Sequence, residues 1–335
     1  MWFEKLTGFK EESPNQVRAN LQVKGETLTS LVNGRSWNFG RLEVPHLESL
    51  RETALVTIKK LPSQNIKVSE IVGNVQIFHK QKENQGALFQ AASQFNLLEM
   101  VGPEVVPERG VGIYSLDHTQ GPACAIACGA GTIYRNYFAE VNGQTGQTRE
   151  HQVDCLENVG GALQNEDDKL WTMRNGYALA NKQGLKNITE QIKALDAAGY
   201  ETLKGKLKIG LQWDTEVTID DSAQRVTQAY CSALPVAYSL LDESLWETFA
   251  RLVLEATYEA TLAAGVINLE QTGCNKVFLT LVGGGAFGND TVWITDAIKQ
   301  AIRKFENTGL DIRIVSYGRS SSRVKRLVNE ISQGE

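Results

Sequence analysis

Between Lys276 and Gly318 the chain runs from a strand-length apolar stretch through a glycine-dense loop and a helix face to a second strand. Lys276 to Val282 (KVFLTLV) is continuous in apolar and β-branched residues, the pattern of a strand buried on both faces. The loop VGGGAFGND puts four glycines and an Asn into positions 283–289, where neither helix nor strand is favoured. Ile294, Ile298, Ala301, Ile302 and Phe305 then mark one helix face, Gly309 closes it, and DIRIVSYG is the next strand. Strand, loop, helix, strand in this order is a βαβ unit, which makes its two strands parallel. The expected fold class is α/β: a mixed, largely parallel central sheet flanked by helices.

The rest of the chain supports this and adds segments outside it. With 335 residues, 42% of them hydrophobic, the chain can bury one large core with insertions, or two ordinary ones. The net charge of −5 argues against a broad nucleic-acid grip while leaving room for a local basic patch. An N-terminus with early acidic residues and no apolar region, and the lack of any run of eighteen apolar residues, predict a cytoplasmic protein with no membrane partner. Five cysteines at scattered positions read as reduced thiols. With four histidines and no close His/Cys cluster, neither a metal nor a cofactor is expected. Cys124 and Cys128 would share a helix face, either as small packing residues or as a redox or metal pair.

Strands are expected over 54–60, 67–79 (broken at Gly73 and Asn74), 87–93, 110–117 and 207–218. Helices are expected over 122–138, with Pro122 at its first position, over 187–199, and over 243–265, where Phe249, Val253, Ala256, Ala260 and Ala263 lie on one face and Gly265 ends the run. Ser222 is a cap candidate for the segment SAQRVTQAYCSAL. The domain reading is an N-terminal extension over 1–60, a core over 61–138 and 221–318, an insertion or small lobe over 139–220, and a solvated helical tail over 319–335.

Ligands of open parallel sheets sit beyond the carboxyl ends of the strands. The 283–289 loop leaves such a strand and enters a helix, so its N–H groups can cradle an anion. Asn289 and Asp290 stand where a P-loop needs Lys and Ser or Thr, which removes the nucleoside-triphosphatase reading. Asp290 is read as a helix cap, Asn289 as a second cap or a ligand contact, and Phe287 as a stack on a sugar or base or as a plug. A second loop, DHTQGPACAIACGAG, also follows an expected strand and enters a helix, with Asp117, Thr119, Gln120 and Gly121 as turn formers. Two such loops suggest two phosphates or one diphosphate. Asp214 and Glu216, beside Trp213, are a further acid pair or solvated edge charges. His118 is an acid–base candidate or a bland loop residue.

Four pieces in order resemble a divergent macrodomain, the ADP-ribose-binding fold. These are IVGNVQIF (71–78), GALFQAASQFN (86–96), QGPACAIACGAG (120–131) and FLTLVGGGAFGND with its helix and final strand. The resemblance covers roughly 65–138 and 222–317. It implies binding of ADP-ribose or a related nucleotide diphosphate, possibly attached to a protein or nucleic acid, with hydrolysis at the distal ribose. A non-catalytic reader is the alternative, and a scaffold that kept the fold is the third. The implied diphosphate loops are Gln120, Gly121, Pro122 and Ala123, and Gly283, Gly284, Gly285, Ala286, Phe287 and Gly288, with Thr119 and Asn289 as further ligand-binding candidates beside them. Gln90 falls in the buried-strand motif, and Ser93 or Asn96 stands for the Asn that meets the distal ribose. The acid pair of poly-ADP-ribose glycohydrolases has no plain counterpart. Glu99 or Asp117 would supply the carboxylate, with a surface acid and a turn cap as their respective bland readings.

Overall fold

The computed structural model describes residues 1–333. Its centre is a seven-stranded sheet built from β1 (Arg41–Glu43), β2 (Lys67–Val72), β3 (Leu88–Ala92), β4 (Gly210–Glu216), β5 (Arg225–Cys231), β6 (Lys276–Leu279) and β7 (Asp311–Ser316). Spatial order is β1-β4-β5-β3-β6-β7-β2. The pairs from β5 through to β2 are all parallel, while β4 is antiparallel to both β1 and β5. Six strands therefore run one way and β4 alone runs back.

The helices that matter are α1 (Leu47–Ile58), α2 (Val75–Lys80), α3 (Gln120–Ala127), α4 (Gly129–Tyr137), α5 (Ala197–Gly205), α6 (Glu247–Thr272), α7 (Thr291–Lys304) and α8 (Ser322–Gln333). Successive side chains of β3 address opposite layers. Gln90 reaches Thr261 of α6 on one face, and Phe89 stacks at 3.8 Å on His79 of α2 on the other. Helix α6 is long and apolar enough to cross a membrane, but it is the core helix, its apolar window 94% buried within the protein.

Several expected elements differ. Segment 54–60 is the end of α1, not a strand. Leu47, Leu50, Ala54 and Thr57 form its buried stripe, and this helical spacing outweighs the β-branched residues. Segment 110–117 is a 3₁₀ turn, Gly112–Leu116. The 122–138 helix starts two residues before Pro122 and breaks at Cys128 (φ −114°, ψ 64°). A Cβ on the adjacent Gly129 would lie 2.7 Å from Trp2 and 2.9 Å from Leu6, so the break sits where a neighbouring helix comes close. The serine-capped segment is strand β5. Gly265 lies inside α6, where Val277 of β6 leaves no room for a side chain, and Gly273 in the left-handed region ends the helix (φ 74°). The 187–199 helix is two helices, Lys182–Lys193 and α5, the second capped by Asp196. The tail is helical over α8, and its last two residues lie outside the described residues. The first sixty residues contribute β1 and α1, and the 139–220 block contributes β4 and α5, so both are built into the central layers.

Burial has one readable consequence here. His79 is fully enclosed, its Nδ1–H donating to the Val75 carbonyl (2.8 Å) while Nε2 accepts from Gln228 (3.1 Å). Burial pushes this imidazole down to about 4, and the bond to Val75 only partly opposes the shift. The unfolded chain takes the proton first, at its ordinary value of about 6.5. The stability that neutral His79 supports is therefore complete above that value and is lost as pH falls towards 4, by at most about 3 kcal/mol. Urea midpoints measured across that window should fall more steeply for the wild type than for His79→Phe; equal slopes would refute the assignment.

Candidate functional site

At the carboxyl ends of β3, β5 and β6 the loops part to leave a cleft with a cavity volume of about 230 Å³. Both glycine-rich loops line it. Thr119, Gln120, Gly121 and Pro122 stand on one side, and Gly283, Gly285, Ala286 and Phe287 on the other. Ser93, Glu99 and Asp117 also open into it.

The 283–289 loop is held in shape by its last residue. Asn289 donates from its backbone to the Gly283 carbonyl (2.9 Å) and from Nδ2 to the Leu234 carbonyl (2.8 Å). It is a staple beneath the loop rather than a cleft residue. Gly283 (φ 79°) has Ala233 where a Cβ would go, 2.5 Å away. Gly284 faces solvent and is backed by Ile294, and Gly288 (φ 68°) rests on Ala237, so neither lines the cleft. Asp290 caps α7 through the Val292 N–H. The N–H groups of Gly283, Gly285, Ala286 and Phe287 donate to nothing among the described residues. This row of free donors at the entry to a helix is an anion nest.

The opposite loop offers the N–H groups of Gln120 and Gly121, likewise free among the described residues. Asp117 turns the chain by accepting from Thr119 N–H (2.8 Å). The Gln120 side chain is spent on Val75 N–H (3.0 Å), so its part in the cleft is its backbone. Ala123 lies outside the lining and packs on the core. Gly121 sits so close to the end of β3 that a Cβ would meet the Ala92 carbonyl at 2.1 Å and Glu99 Oε2 at 2.7 Å.

Glu99 is the chemically unusual group. It is 4% exposed, and its Oε1 has no partner among the described residues. The loop that carries it is tightly specified. Leu97 takes a left-handed conformation (φ 65°), costly for a bulky residue. The Glu99 N–H donates to Tyr114 Oη (3.0 Å), Met100 N–H to Gln94 Oε1 (2.9 Å), and Arg135 Nε to the Leu97 carbonyl (3.3 Å). Burial holds the Glu99 carboxyl well above the usual carboxylate range. The Arg135 charge draws it down, Asp117 pushes it further up, and burial prevails. Arg135 itself is buried, its guanidinium 3.6 Å over the Tyr230 ring. Burial that favours the neutral form of a carboxyl inside a cleft suits it to donate a proton.

Other expected site residues lie elsewhere. Gln90 is below the floor, bonded to Thr261 Oγ1 (2.8 Å) and Thr280 N–H (3.2 Å). Asn96 is buried against Gln152 (2.8 Å) and Leu98 N–H. Neither residue lines the cleft. Asp214 and Glu216 sit at the end of β4, the reversed strand, and so at the opposite end of the sheet. Arg225 holds Asp214, and Asn38 N–H holds Glu216. Cys124 and Cys128 are buried free thiols. Among the described residues no group of His, Cys, Asp and Glu could hold a metal ion.

The cleft also contains residues that sequence reasoning did not place there. Phe287 packs with Tyr177 (5.3 Å) and Tyr238 (5.6 Å) into an aromatic wall. Tyr177 follows the turn Asn175–Gly176, both at positive φ (47° and 80°), in the hairpin that pairs Trp171–Arg174 with Tyr177–Ala180. Asn-Gly between two short strand patterns signals such a turn; Tyr238, Tyr114 and Arg135 carry no comparable local signal.

No family model matches the sequence, and no curated protein matches it. Solved structures do resemble it in shape. Poly(ADP-ribose) glycohydrolase from Deinococcus radiodurans in complex with ADP-ribose has a TM-score of 0.46 and 9% identity, covering 88% of this chain and 95% of that one. The glycohydrolase from Thermomonospora curvata has a TM-score of 0.44 and 12% identity, covering 94% of each chain. The same enzyme bound to the inhibitor ADP-HPD has a TM-score of 0.42 at 12% identity, covering 95% of each.

Proposed function

We propose that the cleft binds ADP-ribose, or a related nucleotide diphosphate carried by a protein or nucleic acid, and hydrolyses the bond at the distal ribose. The observation that carries this reading is the meeting of a buried, partnerless carboxyl with two amide nests in one cleft. Among the described residues no Lys or Arg lines it. The diphosphate would thus be held by the N–H groups of Gly283, Gly285, Ala286 and Phe287 facing those of Gln120 and Gly121, with the dipoles of α3 and α7 behind them. A neutral Glu99 tolerates that dianion, whereas an ionised one would repel it.

The chemistry follows from the same placement. As the bond from ribose C1 to the leaving atom breaks, Glu99 gives its proton to that atom. Water adds to C1, and its proton passes to Asp117, whose Oδ2 is free of the turn that engages Oδ1. Solvent exchange returns the pair to its starting state. Phe287, with Tyr177 and Tyr238, forms the apolar wall against which the distal ribose packs.

The alternative is a reader that binds without turnover. One feature favours it: Asp117 spends one oxygen on Thr119 N–H. Calorimetric titration with ADP-ribose, ADP and AMP, followed by release of ADP-ribose from a modified polymer, separates the readings. Binding without release supports the reader, and silence with all three ligands defeats both. Gly285 offers the cleanest occlusion. Nothing lies within 4 Å of where its Cβ would project, and its φ is not positive. Gly285→Phe should keep the melting temperature of the wild type and weaken ADP-ribose at least about 100-fold, the equivalent of roughly 3 kcal/mol. Unchanged affinity would remove the ligand from this loop.

A further inference from the structure

We infer that Arg319, Arg323, Lys325 and Arg326 form a binding surface for the phosphate backbone of a single-stranded nucleic acid, beside the mouth of the cleft. The segment Tyr317–Leu327 holds four cations and no acid in a chain of net charge −5. All four are exposed, and among the described residues none makes an ion pair; on α8 the pair of Glu330 with Lys299 of α7 (3.3 Å) lies further along. Exposed cations without partners, gathered in a chain of the opposite sign, are a focused field for a polyanion.

The surface is built rather than loose. Glu70 of β2 accepts from Ser316 Oγ (2.6 Å), Ser320 Oγ (2.5 Å) and Ser321 N–H (2.7 Å). This pins the segment that enters α8. Val324 and Leu327 are buried, and the cations project from the turns between them. Those three donors occupy the oxygens of Glu70, whose charge Lys325 meets without forming an ion pair with it. On the neighbouring α7, Asp296 is engaged by Arg251 (2.8 Å).

Position connects the strip to the cleft. Tyr317, 59% exposed, directly follows the carboxyl end of β7, which pairs with β6. Strands in a sheet lie about 4.8 Å apart, so the strip begins beside the loop that follows β6. From Arg323 to Arg326 the helix rises about 4.5 Å, so these two cations can each meet one of two successive phosphates of a strand. An exposed aromatic next to spaced cations is the composition of a single-strand platform. The strip stands independently of the proposed function; only if the cleft acts as proposed would such a strand carry the group that the cleft takes.

The test uses the full chain and an unmodified, labelled oligothymidylate, with no ADP-ribose present, followed by fluorescence anisotropy. Binding should weaken with salt, with a log–log slope of about −2 to −3 for three or four contacts. Arg319→Gln/Arg323→Gln/Arg326→Gln should weaken binding at least about 30-fold and flatten the slope to near −1, while the melting temperature and calorimetric ADP-ribose affinity stay as in the wild type. No strand binding at low salt, a triple variant that binds like the wild type, tighter binding of duplex than of single strand, or an equal response to polyglutamate would each overturn the inference. Strand binding without ADP-ribose binding would leave the strip standing and defeat the cleft reading; the reverse would do the opposite.

Discussion

Glu99→Gln should bind ADP-ribose within about threefold of the wild type and release it from a modified substrate about 10²- to 10⁴-fold more slowly, the usual contribution of a positioned general acid. Glutamine keeps the shape that fills the space beside Gly121, so the nests are undisturbed and only the transferable proton is removed. The pH dependence gives an independent check. Burial raises the Glu99 carboxyl well above its ordinary value, with Arg135 opposing and Asp117 assisting, so wild-type turnover should fall as pH rises through that raised value. The variant should lack this descending limb. The same shift acts on stability. A carboxyl raised in the folded state stabilises it while protonated and loses that contribution as pH climbs through the folded value. Glu99→Gln should therefore resist alkaline unfolding better than the wild type. A variant that turns over at more than a tenth of the wild-type rate would exclude Glu99 as the donor. A wild type that binds but never releases would leave the reader as the function.

What could be read in advance follows from where the information lies. The β6–loop–α7–β7 unit and the two amide loops are contiguous in sequence, and their chemistry is that of their own backbone, so the glycines announced them. Asp290 was readable as a cap for the same reason. Gln90 and Asn96 misled because a motif position fixes a place in the chain but not which face of the floor a side chain takes. Thr261 and Gln152, both remote in sequence, decided that. The strand expected over 54–60 failed because Val56 and Ile58 favour strands locally, while the stripe through Leu47, Leu50 and Ala54 only makes sense once α6 is there to cover it. Arg135, Tyr177 and Tyr238 each acquire their role from a partner far along the chain, and a single sequence does not show such pairings.

The tie between the outlying segments and the core predicts the second large effect, on stability. Glu259 of α6 is 4% exposed and meets Arg51 of α1 (2.6 Å), Lys304 of α7 (2.8 Å) and the buried Lys204 of α5 (3.3 Å). Burial alone would raise this carboxyl. Hydrogen bonds from Arg51 and Lys304, with the charges of Lys204 and Lys304, overcome it and bring it to about 2. Removing Glu259 leaves the buried Lys204 charged and takes a partner from the part-exposed Arg51 and Lys304, a loss of about 3–5 kcal/mol. Glu259→Leu should therefore melt roughly 6 °C lower, since a chain of this size loses stability at about 0.7 kcal/mol per degree near its midpoint. Lys204, 2% exposed, is the group most exposed to this loss, because Glu255 and Glu201, at 3.5 and 3.0 Å, would be its remaining partners and Glu201 is shared with Arg51 and Lys304. The wild-type advantage is present above the ordinary carboxylate value and fades as pH falls through about 2, so the two proteins should converge in acid. A melting shift under about 1 °C at neutral pH, or one that persists undiminished in acid, would show that packing rather than this ion cluster joins α1 and α5 to the sheet-bearing core.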